Sequence, residues 1–145
     1  SATHWDETAH ASGRFASTGD AQTSEYVLRN TSSNATQTEL FLDGSSSRIT
    51  LASNRTLSFD ILIVAHSSTG GSSAGYQIKG LIENDGGTTA FVGTPTVTVL
   101  GKDVPAWDAT VTADNSNSAL VIKVTGAAST TIRWVASVRT VEVGW

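Results

Sequence analysis

Apolar and polar residues alternate along most of this chain with a period of two, and the densest apolar run, Thr56 to His66, is the stretch the rest is organised around. In an extended strand Leu57, Phe59, Ile61 and Ile63 fall on one side, while on the other Ser58 and Asp60 give way to Leu62 and Val64. The pattern predicts a central strand whose second half is covered on both faces. The run is too short to cross a bilayer as a helix, and its β-branched and aromatic content favours a strand over a buried helix.

Shorter runs of the same period lie on either side. Tyr26 and Leu28 oppose Val27, and Leu40 and Leu42 oppose Phe41 before an Asp43-Gly44 turn. Ile49 and Leu51 make a short strand. After the polar loop Ser67 to Ser73, a strand with Ala74, Tyr76, Ile78 and Ile82 on one side runs into Asn84-Asp85-Gly86-Gly87, the strongest hairpin turn in the chain. Its partner, Thr88 to Leu100, is interrupted at Pro95, and a proline that cannot donate to a ladder places that strand at an edge or a bulge. Trp107 to Ala113, Ala119 to Thr125 and Thr130 to Val143 complete the series, with Ile132, Trp134, Ala136 and Val138 facing one way and Val135, Val141 and Val143 the other. About nine or ten short strands with turns at this spacing predict an all-β fold, an antiparallel, jelly-roll-like β-sandwich. Residues 1–21 show no useful periodicity and read as an extended lead-in or stalk end, leaving 22–145 as the sandwich domain.

Composition narrows the function classes. With 145 residues and 39% hydrophobic content the chain suits one domain with a core of its own. Charged residues make up 15% and the net charge is −4, so the basic stripe that a phosphate backbone requires is missing and nucleic acid is excluded as the expected partner. No segment is long and apolar enough to insert into a membrane. The absence of cysteine removes disulfides and thiol chemistry, and any metal would have to be held by His and carboxylates. The abundance of Ser, Thr, Gly and Asn, with no Met at all, suits solvated β-surfaces and a piece of a longer or processed protein.

Candidate chemistry is sparse. His4, Asp6, Glu7 and His10 lack the i, i+4 spacing of a helical zinc site, so no metal and no cofactor is expected. The nucleophile elbow Gly-x-Ser-x-Gly is absent, and Gly70 to Gly75 approaches it only as a flexible loop would. Glu83, Asp85, Asp103 and Asp108 sit in loops or at strand ends, where paired carboxylates of a glycosidase would be found, but the separation that mechanism depends on is not written in the sequence. The expectation is a protein that is not an enzyme, with no catalytic residues. Asn30, Asn34 and Asn54 match glycosylation acceptors as often as chance allows in such a composition. Aromatics are the better binding candidates, because sugars dock on aromatic faces. Trp107, in a polar loop with Asp103 and Asp108 beside it, is the first of these, its alternative role being to seal the end of the sandwich; Tyr76 is the other. Trp134, mid-strand, belongs to packing.

Several stretches taken together, Gly13-Arg14-Phe15-Ala16-Ser17-Thr18-Gly19-Asp20-Ala21-Gln22, Tyr26-Val27-Leu28-Arg29, Thr38 to Gly44, Gly93-Thr94-Pro95-Thr96, Ala106-Trp107-Asp108 and Thr131 to Ala136, resemble the C-terminal, distal domains of bacteriophage tail-fibre and related virion-fibre proteins. His10-Ala11-Ser12-Gly13 also looks like a degenerate copy of a His-Ala-rich stalk repeat. The resemblance implies a homotrimeric β-structured module on the outside of a virion that binds a host-cell surface glycan or protein and contacts other virion proteins. It carries over no binding residues. Two other functions fit the same architecture: a structural decoration or head-fibre protein, and a carbohydrate-binding module of a secreted enzyme. The trimer agrees with two features of the chain itself. Trp5 and Phe15 in the lead-in, and Val141, Val143 and Trp145 at the other end, are apolar residues with too few local neighbours to bury them, so a neighbouring subunit is their expected cover.

Overall fold

The computed structural model describes residues 1–145 and contains eleven strands and no helix. In chain order they are β1 (Thr8–His10), β2 (Ala21–Ser32), β3 (Thr38–Leu40), β4 (Ile49–Thr50), β5 (Arg55–Ser67), β6 (Ser73–Asp85), β7 (Thr88–Phe91), β8 (Thr96–Lys102), β9 (Asp108–Asp114), β10 (Ala119–Thr125) and β11 (Ile132–Gly144). All pairings are antiparallel. A seven-stranded sheet runs β1-β2-β11-β5-β6, with β7 and β8 sharing the far edge of β6, and a four-stranded sheet gathers β3, β4 and β9 around β10. The two pack as an antiparallel β-sandwich.

The period of two explains the core. On β5, Leu57, Phe59, Ile61 and Ile63 point between the sheets, with Tyr26 and Leu28 of β2, Tyr76, Ile78 and Ile82 of β6, and Ile132, Trp134, Ala136 and Val138 of β11. Leu40, Leu42, Ile49, Leu120, Ile122 and Val124 close over them from the smaller sheet. Register keeps every one of these residues on its face, since a slip by one position would turn the whole set to solvent. Gly80 lies opposite Phe59, and a Cβ there would stand 2.6 Å from the ring and 3.2 Å from Pro95. The aromatic ring occupies the space a side chain at 80 would need.

Three particulars add to the sequence reading. The strand through Pro95 divides into β7 and β8, both on the outer edge of β6, where a missing N–H donor costs no ladder bond. The lead-in carries a short strand, β1, hydrogen-bonded to β2 at the edge of the large sheet. And Leu62 and Val64 are 47% and 62% exposed, as are large parts of Val27 and Val135 beside them. Two-layer packing covers only one side of the large sheet, so the outer face of the central strand is open in the single chain.

Candidate functional site

The polar connections Ser67–Ser73, Asn84–Gly87, β8–β9 and β9–β10 separate to opposite ends of the sandwich. Ser67 to Ser73 and the loop between β8 and β9 meet at one end: the Asp103 N–H donates to the Ser73 carbonyl at 2.9 Å, and the Ser68 N–H donates to Thr131 at 2.9 Å. The turn after β6 and the turn between β9 and β10 meet at the other, joined through Asn54, Asn84 and Leu51. Lead-in residues occupy this second end. His4 Nε2 accepts the Thr50 N–H at 3.2 Å, and Arg55 Nη1 donates to the Gly19 carbonyl. The first end is open.

At that open end the outer face of the large sheet carries a row of polar side chains. Antiparallel register sets Arg133 beside His66 and His66 beside Ser73. His66 Nδ1 lies 2.8 Å from Ser73 Oγ, and the Ser73 N–H donates to Asp103 Oδ2 at 2.8 Å. All four residues are exposed. Ser, His and Asp are thus within reach of one another, but the carboxylate holds the serine backbone and not the imidazole. A general base in a catalytic triad is oriented by its carboxylate, and this histidine is not. The arrangement offers fixed donors and acceptors of both kinds, with a cation at one side and an anion at the other. Such a set can pair with hydroxyls and with charged groups of either sign.

The sequence candidates fall unevenly. Asp103 belongs to this cluster. Asp108 is exposed at the start of β9. Trp107 is only 1% exposed: its ring packs on Trp134 at 5.9 Å between centroids, its carbonyl accepts from Lys102 Nζ at 2.9 Å, and it seals the end of the core. It cannot meet a receptor. Tyr76 is wholly buried too, between the sheets, and burial followed by the charge of Asp108 pushes its phenol up from the usual range. Both aromatic candidates are corrected to core residues: Tyr76 lies on the inward-facing side of β6, and Trp107, in the loop before β9, is folded in against Trp134. His66 and Arg133 were missed as site residues. Register pairing, which joins residues far apart in the chain, was the signal that would have found them.

The carboxylates of the lead-in do structural work. The Glu7 side chain is buried, accepting from the N–H groups of Thr3 (2.6 Å) and His4 (3.0 Å), from Ser24 Oγ (2.7 Å) and from the Tyr26 hydroxyl (3.2 Å). Burial pushes its carboxyl up, but the bonds from Ser24, Thr3 and His4 outweigh that and hold it at about 2. Asp20 caps the following turn, accepting from Phe15, Ala16 and Ser17, and these backbone donors hold its carboxyl below the usual range. His4 is 3.1 Å from Glu7, whereas His10 lies on a groove of the outer face, and no three metal-ligating side chains converge. A folded-state carboxyl held below its unfolded value adds stability above the ordinary carboxylate range and loses it as pH falls towards 2. The lead-in is therefore expected to loosen between about pH 4.5 and 2, by on the order of 2 kcal/mol. Glu7→Gln should flatten that part of the pH–stability curve, and an unchanged acid limb in urea unfolding would contradict the assignment.

A shallow groove of about 490 Å³ crosses the outer face, lined by His10, Glu25, Asp60, Arg139 and Val141 among others. Arg139 Nε lies 3.1 Å from Glu25 Oε1, and Gln77 Nε2 donates to Asp60 Oδ1 at 3.2 Å. Both ends of the Arg139–Glu25 pair are well exposed, so the pair itself contributes little to stability.

No protein-family model and no characterised protein matches this chain in sequence. Among solved structures the chain is similar to the tailspike protein gp49 of the Acinetobacter baumannii bacteriophage Fri1, a capsular polysaccharide depolymerase, with a TM-score of 0.46 and 12% identity. The alignment covers 92% of this chain and 19% of that one, so the chain spans about a fifth of that protein's length.

Proposed function

We propose that this chain is a non-enzymatic module of a bacteriophage tail fibre, displayed in three copies on the virion, that binds a bacterial surface glycan through the open end of the sandwich. The carrying observation is the exposed His66–Ser73–Asp103 cluster with Arg133 beside it, preset on three long strands and a clipped loop, with no carboxylate orienting the histidine for turnover. Polar groups fixed on a rigid sheet lose little entropy when a sugar binds, and adjacent loops vary without disturbing the core. The resemblance of the sequence to distal fibre domains supports the virion setting. Exposed Trp5, Phe15, Val141 and Val143 support the multiple copies. Three weak sugar contacts held together raise avidity by a factor that reaches about a hundred or more when all engage at once.

Adsorption of the labelled domain to a panel of bacterial strains tests this reading. His66→Ala with Arg133→Ala is expected to reduce adsorption at least about tenfold, the loss of two modest hydrogen bonds per copy, while Asp85→Ala at the opposite end leaves it unchanged. Adsorption that survives the double substitution with the fold intact would remove this end from consideration. A domain that binds virion proteins and no bacterial cell would replace the receptor-binding reading with the structural one.

A further inference from the structure

We propose that the outer face of the large sheet is where further copies of this chain dock, about a symmetry axis that runs parallel to β5 and β11. The proposal deepens the three-copy reading above and rests on it. Cross-strand register gives the face an ordered pattern. In one row Val135 of β11 stands beside Val64 of β5, which stands beside Gly75 of β6; an added Cβ at Gly75 would meet Leu100 at 3.7 Å. In the next row Ser137 separates Val27 from Leu62. Val27, Val135, Val64, Leu62 and Leu100 are each close to half exposed or more, and form one apolar patch spanning four strands of the sheet and its edge. A patch of this kind on a soluble protein marks an interaction surface.

The neighbouring row says what covers it. Read from β2 to β6 it is Glu25, Arg139, Asp60, Lys79, four charges of alternating sign on adjacent strands. An axis parallel to the strands, standing in front of the gap between β11 and β5, keeps every row at its own height. It brings the β2–β11 half of one copy against the β5–β6 half of the next. Arg139 then meets Asp60, Glu25 meets Lys79, and the Val27–Val135 side of the patch meets the Leu62–Val64 side. Turning the neighbour end for end about the centre of the patch would instead place Arg139 opposite Arg133, two like charges. Complementary charge selects register and orientation more than it adds affinity, and the apolar patch supplies the burial. A cyclic arrangement closes without propagating into a filament, and it gathers the Arg133–His66–Ser73 rows, the last on this face, at one mouth of the axis, where a glycan would enter from the end of the assembly.

Sedimentation equilibrium on the wild type and three variants tests the proposal. Leu62→Asp with Val135→Asp changes two side chains that already face solvent in the single chain, so circular dichroism should be unaltered while the dissociation constant of the assembly rises at least about a hundredfold. Arg139→Glu alone should weaken assembly at least about tenfold, and adding Asp60→Arg to it should restore most of that loss, because the pair between copies is reformed with its signs exchanged. A wild type that assembles, with a folded Leu62→Asp, Val135→Asp variant of the same mass and affinity, would overturn this face while leaving the three-copy reading standing. A wild type that is monomeric at every concentration would overturn both.

Discussion

Trp107→Ala is expected to lower the free energy of unfolding by about 3–5 kcal/mol, the range for truncating a fully buried tryptophan. The ring is 1% exposed and stacks at a tilt of 52° on Trp134, itself wholly buried and tied to Ser32 Oγ through its indole N–H at 2.9 Å. Removing the indole opens a cavity where the β8–β9 loop closes over the core, and Asp103, which clips that loop to Ser73, would loosen with it. The indole N–H of Trp107 is buried without a hydrogen-bond partner, so Trp107→Phe should cost clearly less than Trp107→Ala. Urea unfolding at one protein concentration measures both, since any self-association would add to apparent stability. A loss below about 1 kcal/mol for the alanine variant would mean that the ring is not part of the core.

Ile61→Ala and Ile63→Ala are each expected to cost about 2–5 kcal/mol, whereas Leu62→Ala, between them in sequence, should cost the folded monomer less than about 0.5 kcal/mol. Ile61 and Ile63 are wholly buried, each opposite an inward-facing residue on both flanking strands: Val138 and Ile78 for the first, Ala136 and Tyr76 for the second. Leu62 faces out, next to Ser137 and Gln77. The comparison is cleanest in an unassembled background such as Val135→Asp, where the outer face has no partner to lose. Equal costs at 62 and 63 would mean that the strand is buried on both sides even in the single chain.

The sandwich was legible because it is written in local periodicity. Leu57, Phe59, Ile61 and Ile63 announced their face without reference to any other strand, and Pro95 announced an edge. The same periodicity placed Trp134 correctly, since it stands mid-strand between Ile132 and Ala136. Trp107 lacked that context: it directly precedes β9 in a polar loop, and only the return of the loop over the end of the core shows which way the ring points. Tyr76 sat in an alternating strand, where the same side as Ile78 and Ile82 was the buried one. The polar cluster at the open end was hidden for another reason. His66, Ser73, Asp103 and Arg133 come from three separate stretches, and only hairpin register and a loop clip bring them together. Two-sided apolar character in Leu62 and Val64 fits a strand covered on both faces; in the single chain this face is open, because periodicity alone does not say what covers a residue.

The most direct measurement of the account is the molar mass of the purified domain by light scattering across a wide concentration range. The account predicts a species of three times the 15.1 kDa chain mass that holds at micromolar concentration and dissociates on dilution to folded monomers. A mass of one chain at every concentration, with the sandwich intact, would contradict it, because the outer face of β11 and β5 would then be open to water with nothing to cover it.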